Sequence, residues 1–192
     1  PAAKVQVDIL DGKGALVRSF VGTSEDDKRR GGGDGGEEFF GPARVSPPSR
    51  KAGLNRFTWD LRYPGPETFE GMILWSASSA GPLAVPGAYS AKITVGAETQ
   101  TVPFEVQIDP RLKNTSVADL QEQFNLAMQV RDATSAAHGT VAKIRAIRKD
   151  LQDRESKAKN KAVTADVNAV LARLQAVEED LYQTKNRSGQ DP

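Results

Sequence analysis

Gly53-Leu54-Asn55-Arg56-Phe57-Thr58-Trp59-Asp60-Leu61 is the stretch whose reading decides the fold. Phe57, Trp59 and Leu61 recur at every second position, the period that places side chains on one face of a strand. Thr58 and Asp60 take the opposite face. A tryptophan at such a position brings ~150–250 Å² of burial, enough to centre a small core. The segment therefore reads as a central strand. Asp60, outside the apolar face, is expected to pair with Arg56 or Arg62 beside it.

Toward the N-terminus, Lys4-Val5-Gln6-Val7-Asp8-Ile9-Leu10 alternates apolar and polar residues. Asp11-Gly12-Lys13-Gly14 then supplies a hairpin turn. Ala15 to Val21 reads as the return strand, with Leu16 and Phe20 as its apolar residues. Residues 23–38 carry a charged run and the glycines 31–33, 35 and 36. Such composition cannot bury enough apolar surface to offset chain entropy and predicts a mobile loop. It lacks the Lys-Ser/Thr of a phosphate-binding loop. Toward the C-terminus, Gly71-Met72-Ile73-Leu74-Trp75 is a short apolar run. Pro86-Gly87 turns into Ala88 to Val95, and Gly96-Ala97-Glu98 turns into a last strand carrying Phe104, Val106 and Ile108. Six or seven short strands predict a small antiparallel β-sandwich over residues 1–110. Phe57, Trp59, Leu61, Tyr89 and Ile93 are its expected core.

From Ser116 the period becomes helical. Ser116-Val117-Ala118-Asp119 has the form of a capping box. Leu120, Phe124, Ala127, Val141, Ile144, Ile147 and Leu151 make one stripe on a helix over about 117–157, roughly 60 Å long. Ala158 to Val163 reads as a basic connector. Thr164 then caps a helix over about 165–185, striped by Val167, Val170, Leu171, Leu174, Val177 and Leu181. The two predict a long antiparallel helical hairpin within 111–186, with a disordered tail over 187–192. The second helix is about half the length of the first. Leu120, Phe124, Ala127 and Val130 are therefore left uncovered, and they form the candidate partner face. The fold class is α+β in separate parts, a sandwich followed by a hairpin.

The composition excludes several functions. With 192 residues, 38% hydrophobic, 27% charged and a net charge of +1, the chain is of globular type and lacks a strongly basic field. No apolar run approaches the ~20 residues of a membrane span. The absence of cysteine removes disulfides, zinc–thiolate sites and thiol nucleophiles. The single histidine, His138, has no second ligand at helical spacing and reads as a packed residue. Gly139 beside it suggests close helix approach or a mild bend. Glu178-Glu179-Asp180 reads as a solvated helix face. The basic group around Lys143, Arg145, Arg148, Lys149, Arg154, Lys157, Lys159 and Lys161 is interleaved with acids and reads as a charged helix tip. No catalytic, cofactor-binding or metal-ligating residue is assigned, and no cofactor is expected.

The run Gly53 to Leu61, continued by Arg62-Tyr63-Pro64, joins Gly81-Pro82, Pro86-Gly87-Ala88-Tyr89 and the helix entry from Thr115 to Arg131 in a resemblance. Together they resemble the C-terminal region of secreted bacterial proteins with sortilin-like, BNR-repeat β-propellers, often labelled glycosyl-hydrolase-like. The resemblance implies an Ig-like sandwich of the FlgD type, a helical segment after it, and an extracellular or periplasmic location. The start at Pro1-Ala2-Ala3 fits a segment cut from a longer chain or an excerpt of one. The function expected is a non-catalytic, protein-interacting accessory module. Its partner would be another protein, the propeller of the same precursor or a second copy, with neither nucleic acid nor a membrane span involved. Binding of a carbohydrate or cell-surface polymer, suggested by the aromatic content, is the alternative.

Overall fold

The structure, a computed structural model, describes residues 3–23, 45–74, 78–158, 161–185 and 187. The Gly-rich loop from 24 onward, Phe39, Phe40, Trp75 and the tail from 188 lie outside these residues. The chain is α+β. Strands β1 (Val5–Asp11), β2 (Leu16–Val21), β3 (Gly87–Val95) and β4 (Glu98–Val106) precede helices α1 (Val117–Ala158) and α2 (Lys161–Leu181). The strands form one antiparallel sheet in the order β2-β1-β3-β4.

Two compact units divide the chain, residues 1–65 with 79–128, and residues 66–78 with 129–192. The boundary is therefore not the expected one near residue 110. The start of α1 belongs with the sheet, and the apolar run at 71–74 belongs with the helices. The cause is where large side chains find partners. Phe124 of α1 lies 4.8 Å from the Tyr63 ring, and Phe69 packs edge-on to His138 and Tyr182.

In the first unit, Asp11 builds the β1–β2 turn. Its Oδ1 accepts the N–H groups of Lys13 and Ala15 at 2.9 and 2.8 Å, and Gly14 takes the positive φ of 80° the loop needs. The register then steps from Ile9↔Arg18 to Leu10↔Leu16, leaving Val17 as an extra residue. This bulge turns Val17 inward beside Phe20. Val17 and Phe20 are buried, whereas Leu16 is exposed. A strict period of two names Leu16 because it makes no allowance for the bulge.

Val7, Ile9, Val17, Phe20, Ala84, Tyr89 and Val106 form the core, and Val45, Phe57, Trp59, Tyr63, Ile93 and Phe104 pack against it. Trp59 lies 5.7 Å from the Tyr89 ring and 6.2 Å from Phe104, and its Nε1 donates to the Arg62 carbonyl at 3.0 Å. The described layer over the sheet has no regular secondary structure. Outside the four strands, the described residues hold only single bridges, Thr23↔Ser49 and Arg62↔Leu83. Among the described residues, four strands thus stand where six or seven were expected over the whole segment.

Leu61 is the point at which the alternation fails. Its φ is 57° and its side chain is 41% exposed, so it leaves the expected core set. A left-handed conformation costs a non-glycine residue roughly 1–2 kcal/mol. Asp60 holds the turn by accepting the Arg62 N–H at 3.1 Å. Its ion pair is with Arg18 of β2, at 3.3 Å, and not with Arg56 or the Arg62 guanidinium. Arg62 instead donates to the Gly81 carbonyl.

Two phenols report on this core. Burial first, then the neighbouring Tyr63, pushes Tyr89 up to about 12; Tyr63 is raised too, by burial and then by the Asp11 charge. A phenol raised in the folded state favours folding fully below the unfolded value near 10, and that contribution is lost as pH rises toward 12. Urea stability should therefore fall between about pH 10 and 12. In Y89F the fall should be shallower; an equal fall in both proteins would contradict the assignment.

Helix α1, shared between the two units, runs close to its expected limits. Its first turn carries the capping box. Ser116 N–H donates to Asp119 Oδ2 at 2.8 Å, and Asp119 N–H donates to Ser116 Oγ at 3.1 Å. These bonds, the backbone one foremost, hold the Asp119 carboxyl below its ordinary value. α2 starts and ends earlier than the expected 165–185. Thr164 lies inside it and does not cap it, because Lys161-Ala162-Val163 contains nothing that stops a helix. Gly139 faces open space, so it marks no close helix approach.

Candidate interaction surfaces

The second unit is assembled around the short non-helical segment 67–73, which turns at Glu70-Gly71. Glu67 N–H donates to Ser135 Oγ at 3.0 Å, and the Glu67 carbonyl lies 2.6 Å from His138 Nδ1. His138 is buried, and a ring nitrogen facing a carbonyl carries the proton. Phe69 stands edge-on to His138 and Tyr182, with centroids 5.6 and 5.1 Å away. The Tyr182 hydroxyl accepts the Ile73 N–H at 2.6 Å and lies 2.8 Å from the Ile73 carbonyl. Residues 67–73 thus fasten to both helices by backbone bonds and one aromatic plug.

Glu178 overturns its expected place on a solvated face. It is 1% exposed. Arg145 Nε reaches its Oε1 at 2.8 Å, and Arg148 Nη2 lies 2.8 Å from Oε2. Arg145 also lies over the Phe69 ring at 4.6 Å and over Tyr182 at 5.5 Å. One carboxylate therefore ties two arginines of α1 to α2. The basic cluster is accordingly not a uniform tip: Arg145 and Arg148 are half-buried against Glu178, while Arg154 and Lys157 pair with Asp150 and Asp153 one turn earlier.

The expected partner face is divided. Leu120, Phe124 and Ala127 are half-buried, with Phe124 against Tyr63 of its own unit. Val130 is exposed, as is Leu126. The more regular apolar surface is on α2. Val163, Val170 and Val177 are all exposed and lie seven residues apart, each preceded by an alanine: Ala162, Ala169 and Ala176. Seven residues span about 10.5 Å, so the three valines make a stripe about 21 Å long. Val167 is buried about 40–60° round the helix from Val163 and Val170, so the valine stripe runs along the exposed edge of the buried face of α2. The Ala-Val pair recurring at heptad spacing was the sequence signal for this surface. The expected packing stripe of the second helix included Val170, Val177 and Leu181, and all three are exposed.

A second concavity, of about 560 Å³, opens in the first unit between the sheet and the chain at 48–57. Val5, Val7, Phe57 and Ile93 give it an apolar floor, with Asn55 and Arg56 at its lining. The Asn55 amide nitrogen donates to the carbonyls of Lys51 and Gly53, so its nitrogen is already engaged. Among the described residues no group of three or more His, Asp or Glu side chains is placed to hold a metal ion. No helix among them is long and apolar enough to cross a membrane. No family model, curated protein or solved structure matches the chain.

Proposed function

We propose that the chain is a non-catalytic docking module of a larger secreted protein. An Ig-like first unit serves as scaffold, and the exposed valine edge of α2 meets a protein partner. The observation that carries this reading is the exposed stripe of Val163, Val170 and Val177 on a helix whose adjoining face is already anchored through Glu178. Ordered apolar residues in a row mark an interaction surface more strongly than scattered exposed ones do. The two-layer packing of residues 45–63 on the sheet supports the Ig-like reading. The resemblance of residues 53–64 and 86–89 supports a place beside a β-propeller and an extracellular or periplasmic site of action. The carbohydrate reading is weaker, because Trp59 and Tyr89 pack on Phe104 and on each other within the core.

A photo-cross-linking residue at position 170, expressed in the source cell, tests the reading. It should give one discrete adduct whose second peptide is identified by mass spectrometry. The same residue at Thr101, exposed on β4, should give none. Failure of position 170 to cross-link to any protein would overturn the docking role.

A further inference from the structure

The charges flanking the α2 stripe identify its occupant. Asp166 and Arg173 follow Val163 and Val170 by three residues each, so both lie on the same flank of the stripe. Both are exposed, and among the described residues neither makes an ion pair. At seven residues apart on one helix, about 10.5 Å, they cannot reach each other. We infer that α2 pairs antiparallel with α2 of a second copy. The valine stripes then meet, and Asp166 of each copy faces Arg173 of the other. The inference rests on the proposed docking role of α2 and names its partner.

The sequence is self-complementary in one register only. With a two-fold axis at Val170, that residue meets its own copy, and Val163 meets Val177 of the second copy. In the same register Asp166 falls within one residue, about 1.5 Å along the axis, of the level of Arg173 of the second copy, and two-fold symmetry makes the ion pair twice. A two-fold axis of this kind keeps the Asp166–Arg173 flanks on the same side of the interface, as an isologous contact requires. Parallel pairing would instead set Asp166 against Asp166 and Arg173 against Arg173, which is repulsive at both levels. Ala162, Ala169 and Ala176 beside the valines leave room for close approach of the helices. A seven-residue apolar repeat drifts slowly around a 3.6-residue helix, and this favours the shallow left-handed crossing near +20°. The stripe is only about 21 Å long, so the expected association is weak and reversible.

The full chain has no cysteine, so a single introduced thiol reports position without ambiguity. Under mild oxidation V170C should form a disulfide-linked dimer. V163C mixed with V177C should form the mixed dimer, while V163C alone should stay monomeric. Sedimentation equilibrium should show concentration-dependent dimer for the unmodified chain. In D166R that association should weaken by about tenfold or more. In D166R/R173D, which swaps the charges, it should return. All the substituted positions are exposed, and far-ultraviolet circular dichroism checks that the helices persist. Self-linking of V163C, insensitivity to charge reversal, or a monomer at all concentrations would each overturn the inference. If the purified chain is monomeric while position 170 cross-links to a different protein in the cell, the docking role stands and the homodimer falls.

Discussion

Replacement of Gly81 by alanine should destabilise the first unit by about 3 kcal/mol or more. A methyl group there would stand 1.9 Å from the Tyr63 carbonyl oxygen and 2.6 Å from the Pro64 carbonyl. Both neighbours are backbone, so no side chain can swing aside. Gly65 faces the same constraint, its Cβ falling 1.9 Å from the Ser79 oxygen. The reason lies in the ladder at this point. Tyr63 N–H donates to Pro82 at 2.9 Å, and Ala84 N–H donates to Leu61 at 2.7 Å. The chain leaves the first unit at Gly65 and returns at Ser79, and at Gly65 and Gly81 the two passes touch backbone to backbone. Gly139→Ala is the contrasting case. Nothing lies within 4 Å of its Cβ position, and the site is inside α1. That substitution should stabilise by roughly 0.5–1 kcal/mol. Urea unfolding in a W75F background, read from Trp59 fluorescence, should show G81A shifted far to lower denaturant. A G81A midpoint equal to that of the parent would contradict the backbone contact.

Glu178→Ala should be the most damaging single change in the helical unit, at about 3 kcal/mol. Its carboxylate is withdrawn from water, and removing it leaves two guanidiniums facing a void. Arg145 and Arg148 retain 34% and 29% side-chain exposure, so part of their charge can be rehydrated. The loss is therefore placed at the lower end of the range for broken buried pairs. Arg145 would also lose the contact that holds it over Phe69 and Tyr182. E178L/R148L replaces part of the charge by apolar volume and should recover some of the loss. Thermal unfolding followed by far-ultraviolet circular dichroism separates these outcomes. A melting temperature for E178A within a degree or two of the parent would show that Glu178 anchors nothing.

These two sites also mark where the sequence stops being legible. Local rules carried the β1–β2 and β3–β4 hairpins, both helices and the Ser116–Asp119 cap, because each depends on residues a few positions apart. The bulge at Val17 was hidden, since a period of two cannot announce an extra residue. Leu61 was assigned to the core by the same alternation, and its left-handed backbone broke it. Glu178 looked solvated within an acidic run, because the arginines that bury it lie a helix away. The segment 67–73 looked like a connector, because its partners at His138 and Tyr182 are far along the chain. The partner face was sought on α1 by comparing helix lengths. Tyr63 takes up Phe124 there, and the open stripe lies on α2, where the Ala-Val heptad repeat was in view throughout.

Oxidative footprinting of the chain in its source cell, set against the purified protein at high dilution, tests the working surface most directly. Val163, Val170 and Val177 are 37%, 43% and 47% exposed, and Val102 on β4, at 42%, is a matched reference. If α2 is the docking face, the three valines should be labelled in dilute solution and protected in the cell, with Val102 labelled alike in both. Equal labelling of the stripe in the two settings would contradict the account.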